Sequence, residues 1–402
     1  MLNVKSIAEV NQIIHQRFVD LRMPAEKIQL EEALGRVLAE DALASEFVPD
    51  FNRSTVDGYA LRASDVFGCS ESIPAILAQI GEVHMGAHSS LKVGPDQCVY
   101  VPTGGEVPEG ADTMVMLEYA DDLGGHEIAI YKPSPPGANM IFRGDDVKPG
   151  QVVLPSGRRL NVADIGALGA LGKSEVSVRR KPRVAIISTG NELVAHGETL
   201  TPGKIRDVNA VMLASAVLEE GGQPHTLGII KDNEQAVRTA LLSALKEHDL
   251  VLLSGGTSVG EKDAVPKIVA DLGELLVHGV AAKPGKPTLF GSVNHKPVYG
   301  LPGNPVAAYF MFYSLVRPLL AHMLGAELIS RSANYPLARA VPSNHGREEF
   351  VPVIIKDGLA HPIASKSGLI TTLSGTSGFI RIPRDLEGLS KGQVVEVTLF
   401  AR

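Results

Sequence analysis

Apolar positions recur at helical spacing from the start of the chain. Ile7, Val10, Ile14, Phe18 and Leu21 fall on one face, and Ser6-Ile-Ala-Glu9 has the spacing of a capping box, so an amphipathic opening helix is expected. A second short helix is predicted around Leu30 to Glu40, ahead of the extended, proline-marked stretch Phe47-Val-Pro-Asp-Phe-Asn-Arg-Ser-Thr, which reads as the way into a new domain. From about Ser54 to Ile141 the pattern becomes short β-type runs broken by Gly, Pro and Asp, among them Cys98-Val-Tyr-Val, Thr113-Met-Val-Met-Leu and Ile128-Ala-Ile-Tyr. That segment reads as a compact, mostly β domain. Turn signals follow from Gly144 to Leu160, then a short helix over Asn161 to Gly172 in which Gly166 and Gly169 lower the helix propensity.

At Arg183 the period changes. Val184-Ala-Ile-Ile-Ser and Leu250-Val-Leu-Leu-Ser254 are continuous apolar runs of the kind that form strands buried on both faces. Helices are predicted between and after them, from Asn209 to Glu220, Asn233 to His248 and Asp263 to Leu272, with a further strand over Thr226 to Ile230. Pro297-Val-Tyr-Gly-Leu leads into Gly303-Asn304-Pro305, where Asn is a natural N-cap and Pro a natural first helical residue; the helix is expected to kink at Pro318 and stop at Gly325. Alternation from Arg183 to Gly325 predicts one doubly wound α/β domain. Beyond it, Phe350-Val-Pro-Val-Ile-Ile, Gly378-Phe-Ile-Arg-Ile and Val394-Val-Glu-Val-Thr-Leu predict a small C-terminal β-barrel or sandwich.

Composition narrows the function classes. The 402 residues exceed one ordinary core, and 44% hydrophobic with 21% charged residues is the usual balance of a soluble globular chain. A formal charge of −7 argues against a general nucleic-acid or anionic-membrane surface, so any anionic ligand has to be held locally. Cys69 and Cys98 are the only cysteines, which supports neither a disulfide framework nor a thiolate metal site and fits a reducing cytoplasm. Neither an export signal nor a membrane anchor is expected from the first residues or from the length of the apolar runs.

In an open α/β sheet ligands bind beyond the carboxyl ends of the strands, and two predicted strands end there in polar glycine loops: Ser188-Thr189-Gly190-Asn-Glu192, and Ser254-Gly255-Gly256-Thr-Ser258-Val-Gly-Glu-Lys-Asp263. Glycine lets backbone N–H groups approach an anion closely, and hydroxyls add donors. An isolated Gly-Gly would simply be a tight turn; two such loops on one rim suit phosphate. Neither loop is a Walker A sequence and no Gly-x-Gly-x-x-Gly opens a helix, which demotes ATP hydrolysis and nicotinamide binding. Lys283-Pro-Gly-Lys286-Pro sets two cations in a stiff frame that reads as an anion clamp, and Leu301-Pro302-Gly303-Asn-Pro305 reads as a further wall. Glu192, Asp232 and Asp263 each follow a predicted strand. Singly each reads as a cap or a solvated acid; together they are expected to hold Mg²⁺ or orient water. His84 and His88 have a metal-pair spacing, but Gly86 between them and the missing third ligand argue against zinc. Asp57 and Thr103 lie in the β segment within ordinary turn chemistry, and Arg143-Gly-Asp-Asp146 is equally ambiguous.

In order along the chain, Asn52-Arg-Ser-Thr-Val-Asp-Gly-Tyr-Ala60, Pro102-Thr-Gly-Gly105, Arg143-Gly-Asp-Asp146, Ser188-Thr-Gly-Asn-Glu-Leu193, the Ser254 to Asp263 loop, Lys283-Pro-Gly-Lys-Pro287 and Leu301-Pro-Gly-Asn-Pro305 resemble the molybdopterin molybdenumtransferases, the family of bacterial MoeA and the C-terminal domain of gephyrin. The resemblance runs nearly end to end. It implies an elongated domain from residues 1–50 plus 142–181, an inserted β domain at 51–141, an α/β molybdopterin-binding domain at 182–326 and a C-terminal β domain at 327–402. It also implies a cytoplasmic homodimer whose site lies between the α/β domain of one subunit and the inserted domain of its partner, which would give Asp57 and Thr103 a role. The implied reaction inserts molybdate into adenylylated molybdopterin and releases AMP with Mg²⁺ present. On that reading Asp57, Thr103, Glu192, Asp232, Asp263, Lys283 and Lys286 are catalytic. Arg143, Asp146, Thr189, Gly190, Ser254, Gly255, Gly256, Ser258, Pro302, Gly303 and Pro305 bind substrate. The implied partners are a molybdopterin adenylyltransferase and cofactor-accepting apoenzymes. Val56, Asn191 and Thr257 stand where the family commonly has Met, Asp and Val, which leaves molybdate against tungstate open. The rival readings are an adenylyltransferase sharing the α/β domain and a non-catalytic dimeric scaffold.

Overall fold

The structure, a computed structural model, describes residues 4–256, 264–363 and 368–400. It is a multidomain α/β plus β architecture. The opening helix, Ile7–Arg17, starts as expected: the Ser6 hydroxyl accepts the Glu9 N–H while the Glu9 carboxylate accepts the Ser6 N–H. Its apolar stripe of Ile7, Val10 and Ile14, with Phe18 beyond it, packs onto the α/β core, where Phe18 meets Phe290 edge-on at 5.8 Å.

The segments before and after the inserted β region are zipped together. Ala25–Gln29 pairs antiparallel with Glu175–Arg179, Ala42–Leu43 with Val152–Leu154, and Arg53–Ser54 with Met140–Ile141. The helix predicted around Leu30 to Glu40 is not formed: a single 3-10 turn, Leu30–Glu32, is followed by left-handed Gly35 and by isolated bridges from Val37 to Arg159 and from Leu38 to Val178. Pairing with the returning segment overrides the helix propensity of Leu30-Glu-Glu-Ala-Leu. Asn161 caps the helix Val162–Ala170 with a reciprocal bond to Asp164, whose carboxylate is held below the usual range by Arg158 and the Asn161 N–H against the opposing effect of burial.

The inserted region forms a six-stranded sheet in the order Thr113–Met116, Gly58–Leu61, Gln97–Val101, Ala75–Glu82, Glu127–Ile130, Ala120–Gly124, antiparallel except for the Ala75–Glu82 and Gln97–Val101 pair.

The α/β unit carries a second six-stranded sheet ordered Gln223–Ile230, Arg183–Thr189, Leu250–Ser254, Lys296–Leu301, Leu289–Val293, Glu274–His278. The first four strands are parallel, so their carboxyl ends share one rim. The two central strands are buried along their full length from Val184 to Thr189 and from Leu250 to Ser254, as their apolar runs require. One face packs on helices Glu234–Glu247 and Ala264–Leu272, the other on Val208–Glu219 and the helices from Pro305. The run Pro305–Leu324 has the length and apolar character of a membrane span, yet 67% of it is buried within the protein, as expected of a core helix. It deforms ahead of Pro318, with a π turn over Phe312–Val316, and ends at left-handed Gly325.

The C-terminal strands run in the order Glu348–Lys356, Gly378–Ile382, Val394–Leu399, Ser332–Pro336. Leu359–Pro362 pairs with Glu348–Lys356, and a bridge between Leu337 and Ala360 closes the circuit around a core of Val353, Ile380, Ile382 and Val397. Ala282–Lys283 adds to its edge by pairing with Glu348 and Glu349, and Phe310 stacks on Phe350 at 4.9 Å, so this barrel is fixed against the α/β unit.

Candidate functional site

The loops at the carboxyl ends of the parallel strands enclose a cavity of about 750 Å³. Of the residues singled out by sequence it gathers Thr189, Gly190, Glu192, Asp232, Ser254, Gly255, Gly256, Pro302, Gly303 and Pro305, with Pro287 from the lysine motif and Gly368 and Ile370 from the C-terminal unit. Ser258 and Asp263 lie outside the described residues.

Close backbone approach explains the glycines. Gly255 has φ +90°, and a Cβ there would stand 2.4 Å from the Thr189 carbonyl oxygen, so only glycine lets the two strand ends meet. The Gly255 N–H donates to the Leu301 carbonyl at 3.2 Å, and the Asp232 N–H donates to Asn191 Oδ1 at 3.3 Å, tying the loops laterally. Glu192 and Asp232 are exposed on the cavity wall. Among the described residues no group of three or more His, Cys, Asp or Glu is placed to hold a metal ion. His84 instead lies 3.8 Å from Glu82, and His88 bonds Glu106 at 2.9 Å.

The two motif lysines have different surroundings. Lys283 pairs with Glu349 at 3.0 Å, and Glu349, only 14% exposed, also accepts the Ser343 hydroxyl at 2.6 Å. Lys286 makes no ion pair among the described residues. The frame itself is tight: a Cβ on Gly285 would meet the Met311 side chain at 2.6 Å.

Six of the expected residues do not line this cavity within the chain: Lys283 and Lys286, whose motif reaches it through Pro287, and Asp57, Thr103, Arg143 and Asp146. The Thr103 N–H donates to Asp57 Oδ1 at 2.9 Å, joining these two exposed residues at one end of the inserted sheet. The Arg143 guanidinium donates to Asp50 at 2.8 and 3.1 Å and lies 4.1 Å over the Phe47 ring. Asp146 is exposed beside it.

Sequence reasoning missed two residues in the first turn of the helix Val208–Glu219. Asp207 is the N-cap, with Oδ1 accepting the Ala210 N–H at 3.1 Å. Asn209 Nδ2 donates to Ser254 Oγ and to the Gly303 carbonyl, each at 2.8 Å, and so locks two rim loops to the helix. The available signal was the pair Asp-Val-Asn directly ahead of an apolar helix; what it lacked was any sign that both side chains would be buried.

Known proteins match this arrangement along the whole chain. Residues 5–172 match the family model for the MoeA N-terminal region (domain I and II), residues 185–322 the "Probable molybdopterin binding domain", and residues 334–400 the MoeA C-terminal region (domain IV). A molybdopterin molybdenumtransferase of Bacillus subtilis is 35% identical over 385 residues, covering 93% of this chain and 90% of the relative. One from Staphylococcus aureus is 31% identical over 393 residues, with 96% and 94% covered. The crystal structure of a molybdopterin biosynthesis moeA protein from Pyrococcus horikoshii superposes with a TM-score of 0.87 at 34% identity, covering 99% of this chain and 100% of that one. By sequence over nearly its full length and by fold, this chain belongs to the MoeA family, the molybdopterin molybdenumtransferases.

Proposed function

We propose that this protein is a molybdopterin molybdenumtransferase: it takes adenylylated molybdopterin and molybdate, inserts the metal at the dithiolene and releases AMP. The observation that carries this reading is the cavity at the carboxyl ends of the parallel strands, lined by the glycine loops that resemble those of the family. The backbone N–H groups of those loops, and Lys286, which has no ion-pair partner among the described residues, suit the phosphates and the oxyanion. Lys283, engaged by Glu349, contributes less free charge to the same end.

Mg²⁺ belongs to this proposal. The ion is commonly held by one or two carboxylates together with substrate phosphates, and Glu192 and Asp232 on one cavity wall supply that number, with Asp263 a third candidate. Such a set fits a metal that arrives with the phosphoanhydride. When bound, it would offset charge on the phosphate oxygens as AMP leaves.

The same proposal includes a cytoplasmic homodimer in which the hydrogen-bonded Asp57 and Thr103 of one subunit complete the partner's cavity, with Arg143 and Asp146 near the junction. It also includes the four-unit division at 1–50 with 142–181, 51–141, 182–326 and 327–402. An adenylyltransferase that supplies the adenylylated substrate, and apoenzymes that accept the product, are the partners this reaction needs. The test is the molybdate-dependent release of AMP by Glu192→Ala and Asp263→Ala. Loss of at least tenfold in either supports the carboxylate assignment; full activity in both removes it.

A further inference from the structure

The start of the helix Val208–Glu219 carries buried polar groups that the anion-binding reading leaves without a task. Asp207 and Asn209 are 6% and 5% exposed, and both line the cavity. Asp207 gives Oδ1 to the Ala210 N–H, and its other carboxylate oxygen has no partner among the described residues. Asn209 uses its amide hydrogens on Ser254 and Gly303, and its Oδ1 is buried with no hydrogen-bond partner. Once the helix and the loops are satisfied, the side-chain groups left over at this turn, the second Asp207 oxygen and Asn209 Oδ1, are both acceptors.

The second Asp207 oxygen opens onto the cavity, and a ligand that displaces water from it has to supply a donor in return. Among the described residues no cationic side chain provides one. Arg206, the neighbour on the cavity wall, donates to the Glu198 carbonyl at 3.3 Å instead, and Asp207 forms no ion pair among the described residues. Nor is this helix start open to phosphate, because Asp207 already places a negative charge there.

We infer that Asp207 receives the N–H edge of the ligand's pterin ring. The inference rests on the molybdopterin reading above and deepens it. A pterin presents two adjacent donors, the 2-amino group and N3–H, which match a carboxylate. The adenine at the other end of an adenylylated molybdopterin presents a donor beside an acceptor on its corresponding edge. The carboxylate therefore distinguishes the two heterocycles and sets which end of the substrate lies at the helix start and which at the glycine loops.

The test is a fluorescence titration of the full chain with 6-hydroxymethylpterin and with 6-hydroxymethyllumazine, whose 2-carbonyl replaces the 2-amino donor. The wild-type protein is expected to favour the pterin by about tenfold or more, as fits one charged hydrogen bond. In Asp207→Asn and Asp207→Ser, which both retain an N-cap oxygen and hence the helix start, the preference falls to about unity while the thermal transition is kept. Retention of the pterin preference by both variants overturns the inference and leaves the molybdopterin reading standing. Equal binding of the two rings by the wild type does the same. Failure of the wild type to bind the pterin at all overturns both.

Discussion

Replacing Asn209 by Asp separates two physical effects of opposite sign. Asn209 is the second residue of the helix Val208–Glu219, and a negative charge in a first helical turn is ordinarily worth about 0.3–1 kcal/mol of stability. The side chain, however, is buried and donates to Ser254 Oγ and to the Gly303 carbonyl, each at 2.8 Å. A carboxylate has no hydrogen to donate. The Ser254 hydroxyl can turn and donate in its place, but the Gly303 carbonyl loses its donor and faces a negative oxygen. Gly303 is itself exposed, so water can take up its carbonyl, and the cost falls on the buried Asn209 position, where desolvating an unpaired carboxylate costs about 1–3 kcal/mol or more. The desolvated charge therefore outweighs the helix dipole, for a net destabilisation of about 2–4 kcal/mol. At roughly 2–4 °C per kcal/mol for a unit of this size, the α/β transition drops by about 4–16 °C. Calorimetry gives the shift, and hydrogen exchange at Gly255 and Gly303 should show the rim loops opening first. Asn209→Ala, which removes the donor without adding charge, should fall between Asp and wild type. An Asn209→Asp protein that melts at or above the wild-type temperature would refute the reasoning.

Gly255→Ala places a Cβ 2.4 Å from the Thr189 carbonyl oxygen at φ +90°, so it is expected to cost about 1–3 kcal/mol and to weaken phosphate-competitive binding, measured by thermal shift and titration with AMP. Lys286→Ala is expected to raise the molybdate concentration for half-maximal AMP release more than Lys283→Ala does, because Lys283 is already paired with Glu349 at 3.0 Å; equal effects would count against that distinction. His225 has its pKa lowered from 6.5 by burial, then by His248 and Arg183. His248 Nδ1 donates to the Ala244 carbonyl, and its Nε2 lies 2.7 Å from His225 Nδ1, so His225 is held in a partly buried contact beside a second ring. Because the unfolded chain takes up the proton first, the stability contributed by His225 is complete above about pH 6.5 and is lost as pH falls below it. His225→Asn, whose amide can replace the donor, should flatten the melting temperature between pH 7 and 5, with the remaining slope shared by His322, also lowered by burial and then Arg22.

Much of this was legible in the residues because local chemistry and tertiary context agree. Ser6-Ile-Ala-Glu9 caps its helix, the Val184 and Leu250 runs are buried parallel strands, and their glycine loops share a rim. Legibility failed where tertiary pairing wins over propensity. Leu30-Glu-Glu-Ala-Leu reads as helix, but Val37 and Leu38 bridge to Arg159 and Val178 more than 100 positions away. Ala25–Gln29 lacks apolar alternation because it is a half-exposed strand held by its partner. The tasks of Asp207 and Asn209 appear only when the helix start meets the loops after two strands, and the Lys283 to Glu349 pair only when the C-terminal barrel docks on the motif. Each of these is a contact between distant segments, about which spacing is silent.

The most direct measurement supplies the purified protein with adenylylated molybdopterin, Mg²⁺ and either molybdate or tungstate, and follows AMP together with the metallated cofactor. The account predicts that AMP release rises with oxyanion concentration and matches the cofactor formed mole for mole. AMP release indifferent to both oxyanions, or no metallated product with either, would contradict it.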